Sequence, residues 1–192
     1  MLEVIPSGKI LGATINGLDL AQPLSAADFA AVRDALGAHG VLRFPKQTLT
    51  AQQLVDFSAR FGKLEINVAN SYQEPGLPQI MILSNMLENG KPVGLSDAGQ
   101  SWHTDMSYSK TIAFANVLYG ITIPKRDGKT LGNTEFCNMH AAYDDLPEAL
   151  KTKLEGKTVL HDFNKFWDMM RREKASKRPP LTEAQRKAKP PV

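Results

Sequence analysis

The chain has 192 residues, 42% of them hydrophobic and 22% charged, enough apolar content for the core of a single domain. The net charge is +3, and Cys137, the only cysteine, excludes an intrachain disulfide; it reads as a small buried apolar residue and fits a reducing cytoplasm. Met1 to Pro6 lacks the basic and apolar regions of a secretory leader, and no window approaches ~20 apolar residues, so neither secretion nor a membrane span is expected.

In chain order, a short strand pair is expected over residues 3–15, with Gly8, Gly12 and Gly17 marking turns. Ser25 is an N-cap with Asp28 three residues on, and Phe29, Val32, Ala35 and Leu36 fall at helical spacing; an amphipathic helix over 26–38 closed by Gly40 follows. Residues 41–44 read as a buried strand ended by Pro45. Thr50 caps a second helix running through Leu54, Phe57, Ser58 and Phe61 to Gly62. Apolar stretches 79–84, 113–123 and 134–138 predict further strands, 139–146 and 147–155 helical turns, and 164–175 a helix. No repeat is present. Helices first and antiparallel strands after them fit an α+β domain built on a jelly roll.

The mild net charge hides an asymmetry. Between Arg171 and Lys189 eight basic residues face only Glu173 and Glu183, a local +6 that leaves −3 over the rest of the chain. No aromatic follows Trp167 in this run, so a solvated surface segment is expected rather than a nucleic-acid contact.

The residues that carry chemistry are Trp102-His103-Thr104-Asp105. On an extended backbone side chains alternate, so His103 and Asp105 share a face and Thr104 points away. An imidazole and a carboxylate so placed are two of the three ligands of a 2-His-1-carboxylate site, which leaves three positions on Fe(II) open for a co-substrate and dioxygen. The bare triplet is weak, since a strand histidine is more often a packed or hydrogen-bonded side chain. A Zn(II) hydrolase has little support because no third ligand motif accompanies the pair.

The string from Gln100 to Tyr108, QSWHTDMSY, resembles the W-H-[ST]-D-x-[ST]-[FY] signature of the taurine dioxygenase and chlorophenoxyacetate dioxygenase family. Leu11-Gly12-Ala13 through Gly17-Leu18-Asp19-Leu20, His39 to Phe44, Phe57 to Leu64, Gly132 to Phe136, Ala141-Ala142-Tyr143 and Leu146-Pro147 resemble further family motifs in the right order, over about residues 8–163. Residues 125–130 look longer than the family's usual connection, and Asn133 stands where a glycine is common.

The resemblance implies a double-stranded β-helix with flanking helices, Fe(II) held by His103 and Asp105, and 2-oxoglutarate as co-substrate with Thr134 contacting its carboxylate. It implies a small anionic organic substrate, hydroxylated by dioxygen with release of succinate and carbon dioxide. Trp102, Asn85, Gln100, Ser101 and Tyr108 are the substrate-pocket candidates, and His161 reads as structural. In the family the second iron histidine and the arginine for the co-substrate lie on late strands, and His39, His140 and His161 occupy other positions of the pattern. The chain is therefore expected to be one oxygenase-like domain over 1–192, truncated at its C-terminus, with a basic and mobile excursion over 164–192. Its uncovered sheet edges would be closed by a homo-oligomer. The alternative is a catalytically inactive relic or interaction module that keeps half of the fold.

Overall fold

The computed structural model describes residues 1–67, 71–99 and 101–192. Nine short strands and six helices occur among the described residues, and the chain divides into two compact units, one of Met1–Leu54 with Leu118–Lys157, the other of Val55–Val117 with Thr158–Val192.

The first unit opens with a three-stranded sheet ordered β1 (Glu3–Pro6), β2 (Ala13–Asn16), β3 (Leu42–Arg43). β1 and β2 pair antiparallel, Val4 opposite Ile15, and β3 joins β2 in parallel with Leu42 opposite Ala13. A parallel neighbour needs a crossover, and α1 (Ala26–His39) supplies it. The expected caps are both present: Ser25 Oγ accepts from the Asp28 amide at 3.0 Å, and Gly40, at φ 68°, donates its amide to Leu36 O at 2.8 Å. Phe29, Val32 and Ala35 bury the inner stripe of the helix, and Ala13 and Ile15 bury that of the sheet. Gln47 fastens the connection: its Oε1 accepts from the Leu20 amide at 2.8 Å and its Nε2 donates to Leu18 O at 3.0 Å.

α2 (Ala51–Ala59) begins in this unit under the Thr50 cap. Further along, β8 (Lys125–Arg126) and β9 (Lys129–Thr130) form a hairpin whose tip, Asp127-Gly128, has φ of 50° and 75°. Two central residues at positive φ make the turn whose twist matches that of the flanking strands, so the extra length noted over 125–130 folds back on itself. α3 (Met139–Asp144), capped by Asn138, and α4 (Glu148–Leu154) complete the unit.

The second unit holds two hairpins, β4 (Gln73–Glu74) with β5 (Leu77–Met81) and β6 (Leu87–Glu88) with β7 (Lys91–Pro92), the latter turned by Asn89-Gly90. Its core forms on α5 (Phe163–Glu173), where Phe163 and Trp167 cluster with Leu181 and Tyr108 packs against them; α6 (Glu183–Ala188) follows Leu181. α6 was not anticipated, although Thr182 and Gln185 form a complete capping box.

Three expectations are corrected. Residues 113–123 and 134–138 form no strands. A strand exists only when its amides and carbonyls meet a partner ladder, and here the apolar side chains stand open to solvent, Ile121 at 84% and Phe136 at 58%. Cys137, in the second of these stretches, is exposed rather than buried for the same reason. The basic segment is solvated at Arg171, Arg172, Lys174, Lys177 and Lys187, but Arg178 is buried at 7% exposure. Arg178 lies 5.0 Å from the Trp167 ring centroid and donates from Nε to Asp97 Oδ1 at 3.0 Å. Arg186 grips Asp168 with two bonds of 2.9 and 2.7 Å, which holds the Asp168 carboxyl below its usual range. No helix among the described residues is long and apolar enough to cross a membrane.

Ile15, 1% exposed, anchors the first unit. Ile15→Ala is expected to cost about 2–5 kcal/mol by chemical denaturation followed by circular dichroism, through lost burial plus the cavity left behind.

Candidate metal centre

His103 and Asp105 lie in the second unit, on an irregular segment that enters a turn at Asp105, not on the strand their spacing predicts. The same-face arrangement is nevertheless realised: His103 Nε2 is 3.2 Å from Asp105 Oδ1. A locally extended backbone suffices for it, and no ladder is needed.

Two neighbours orient the pair. His103 Nδ1 is 2.7 Å from the Ser101 carbonyl. A carbonyl only accepts, so in the neutral ring the proton sits on Nδ1 and the Nε2 lone pair faces the carboxylate. Asn116 Nδ2 donates to Asp105 Oδ2 at 2.7 Å. A protonated imidazole donates from Nε2 to that carboxylate; in the neutral ring two lone-pair atoms, a nitrogen and a carboxylate oxygen, converge there instead. A cation against both satisfies both, and an imidazole with a carboxylate suits Fe(II) or Mn(II). The backbone carbonyl behind the imidazole is the partner that metal-binding histidines commonly have.

The turn after Asp105 is tight. Met106 adopts φ 61°, in the left-handed region, and its carbonyl accepts from the Ser109 amide at 2.9 Å. Tyr108 follows, its ring 4.6 Å from that of Phe163 and its hydroxyl donating to Met106 Sδ at 3.3 Å. Burial, then the negative charges of Asp105 and Glu65, push the Tyr108 phenol up to about 12. Lys189 Nζ bridges Glu65 Oε1 at 2.8 Å and Ser109 Oγ at 2.9 Å beside a depression of about 280 Å³ that Tyr108 and Lys110 also line.

The other expected site residues are less gathered. Trp102 is 69% exposed and packs in no core, Ser101 contributes its carbonyl, and Asn85 is exposed. Thr134 belongs to the first unit and is exposed on an irregular stretch; Gln100 lies outside the described residues. His161 is exposed, its backbone paired with Val192 at 2.8 and 3.0 Å and its Nδ1 3.3 Å from Ser107 Oγ. Among the described residues no group of three His, Cys, Asp or Glu side chains gathers to hold a metal. Asn116, which sequence reasoning missed, is eleven positions from Asp105 and carries no motif.

A paired imidazole and carboxylate with an open side define a candidate mononuclear metal centre. Residues 3–192 match the family described as "Taurine catabolism dioxygenase TauD, TfdA family", and the chain belongs to that family. It is 34% identical over 158 residues to the alpha-ketoglutarate-dependent 2,4-dichlorophenoxyacetate dioxygenase of Burkholderia sp. (strain RASC), covering 77% of this chain and 52% of that protein. It is 32% identical over 171 residues to the (S)-phenoxypropionate/alpha-ketoglutarate-dioxygenase of Delftia acidovorans, covering 83% and 54%. A crystal structure of a taurine dioxygenase from Burkholderia xenovorans superposes with a TM-score of 0.62 at 28% identity, covering 84% of this chain and 54% of that one. The chain spans about half the length of the curated relatives it matches.

The Tyr108 environment has a titration consequence. Its folded value is raised above the ordinary 10.0, so its contribution to stability is complete below that value and is lost as pH rises towards 12. Phenolate absorbance should show a tyrosine titrating about two units late, and Tyr108→Phe should remove that late step; an unchanged curve would place the phenol in water.

Proposed function

We propose that this chain supplies the His-x-Asp half of an Fe(II)- and 2-oxoglutarate-dependent dioxygenase centre that acts on a small anionic organic substrate. The observation that carries the reading is the convergence of His103 Nε2 and Asp105 Oδ1 at 3.2 Å, with His103 Nδ1 2.7 Å from the Ser101 carbonyl behind the ring. The relatives support the chemistry by their names, as dioxygenases dependent on alpha-ketoglutarate that act on phenoxy acids.

When bound, Fe(II) with 2-oxoglutarate supplies activation of dioxygen for hydroxylation of a C–H bond, releasing succinate and carbon dioxide. His103 and Asp105 would hold the metal, and the Ser101 carbonyl, 2.7 Å from His103 Nδ1, would orient the imidazole. Thr134, as the family resemblance assigns it, would donate its hydroxyl to a carboxylate of the co-substrate. Trp102, with its indole exposed beside His103, walls the substrate and excludes water from it, with Ser101, Gln100, Asn85 and Tyr108 as further pocket residues. The finer fold belongs to the same proposal: a double-stranded β-helix with flanking helices. So does a domain continuous over 1–192 with 164–192 as a basic excursion, in a cytoplasmic protein that associates as a homo-oligomer.

A second reading is favoured by one observation. The described residues gather two metal donors, not three, which suits an inactive relic or interaction module that keeps half of the fold. Turnover and metal binding separate the two. The 192-residue chain is expected to bind Fe(II) anaerobically with a dissociation constant weaker than about micromolar, since a facial site normally has three protein ligands. His103→Ala and Asp105→Ala should weaken that binding further, and succinate should not exceed the level of the His103→Ala control. Binding unaltered by either substitution would sink the metal reading. Succinate well above the control would mean that a third donor lies within these residues.

A further inference from the structure

Asp105 has two carboxylate oxygens, and the structure gives them different partners. Oδ1 faces the imidazole Nε2, where the metal of the proposed function would sit, while Oδ2 accepts from the amide of Asn116 at 2.7 Å. The contact is short for N–H···O and ends on an ionised acceptor, the stronger class of hydrogen bond. Two residues before Asn116 the Phe114 ring, 68% exposed, stacks on that of Phe61, 6.3 Å between centroids and 29° between planes. The carboxylate is thereby gripped at one oxygen from a chain segment eleven residues away, while its own backbone turns sharply through Met106.

We propose that Asn116 is a positioning residue that confines Asp105 to coordination through Oδ1 alone. This inference rests on the metal reading above and deepens it. A free carboxylate rotates about its Cβ–Cγ bond and can present one oxygen or both to a cation. With Oδ2 engaged by an amide N–H, two-oxygen coordination would require breaking a charge-assisted bond, so one-oxygen coordination wins. The outcome matters for an oxygenase centre, because a carboxylate that takes a second position on the metal removes one of the three that the co-substrate and dioxygen need. A side-chain amide suits the task. It donates without competing as an anion, and it carries no charge of its own to repel the metal.

The test uses the 192-residue chain with Mn(II) alone as a redox-stable probe, in wild type, His103→Ala, Asp105→Ala, Asn116→Ala and the near-isosteric Asn116→Leu. Free Mn(II) is followed by electron paramagnetic resonance, and infrared difference spectra, assigned with the Asp105→Ala variant, report whether one carboxylate oxygen or two bind the metal. Both Asn116 variants are expected to bind Mn(II) about tenfold more weakly, as loss of a partner of a metal ligand typically does, and to move the Asp105 bands from the one-oxygen to the two-oxygen pattern with no change in thermal midpoint. If His103→Ala and Asp105→Ala weaken binding while both Asn116 variants match wild type in affinity and bands, the positioning role is overturned and the metal reading stands. If neither His103→Ala nor Asp105→Ala alters binding, the metal reading falls and the inference with it. Weakening in Asn116→Ala with full affinity in Asn116→Leu would trace to lost side-chain volume and also overturn the role.

Discussion

The His103–Asp105 pair rides on a segment with no ladder of its own, so its placement depends on what pins that segment from outside. Two pins flank it. Six residues before His103, Asp97 takes the guanidinium of Arg178; three residues after Asp105, Tyr108 packs on Phe163. Both partners belong to one structural element, α5 with the basic stretch that follows it, in which Arg178 lies over Trp167 and Trp167 Nε1 donates to Pro179 O at 2.8 Å. A run of positive charge therefore serves as the scaffold of a loop that carries a carboxylate and an imidazole.

Magnitudes decide which pin is fragile. The apolar pin is additive: Phe163, Trp167 and Leu181 each contribute burial, and trimming one leaves the others. The polar pin is not additive. Side-chain exposure is 5% for Arg178 and 15% for Asp97, and in such a place removing one partner strands a charge, at a cost of about 3–5 kcal/mol, whereas replacing both by apolar groups is often neutral. Asp97 Oδ2 already lacks a hydrogen-bond partner among the described residues, so the pair has little satisfaction to spare. Arg178 acts through the cation, through the stack and through its backbone carbonyl, which accepts from Arg171 Nε at 3.0 Å.

Local signals were legible in the sequence and non-local ones were not. Ser25 with Asp28, and Gly40 after the apolar stripe, set both ends of α1 because capping is decided within four residues. The shared face of His103 and Asp105 was legible because it needs only an extended tripeptide. The strands expected over 113–123 and 134–138 failed because an apolar, β-favouring composition cannot supply the partner that a ladder requires. Charge averaging misread Arg178: composition treats every arginine of a basic run alike, while burial of one of them depends on where Trp167 comes to lie. Asn116 was invisible because its contact spans an irregular loop with no periodicity to betray it.

The β8–β9 hairpin has a consequence of another kind. Its four paired residues close on themselves, and the Leu131 amide returns to Pro124 O at 2.9 Å, so the entry and exit points are fixed whatever the tip contains. Chain length at this point is thus decoupled from the path of the flanking segments, including the one that bears Thr134. The tip at Asp127-Gly128 is a natural site of length variation, and a reporter peptide or a fluorophore can be seated there without shifting the residues on either side.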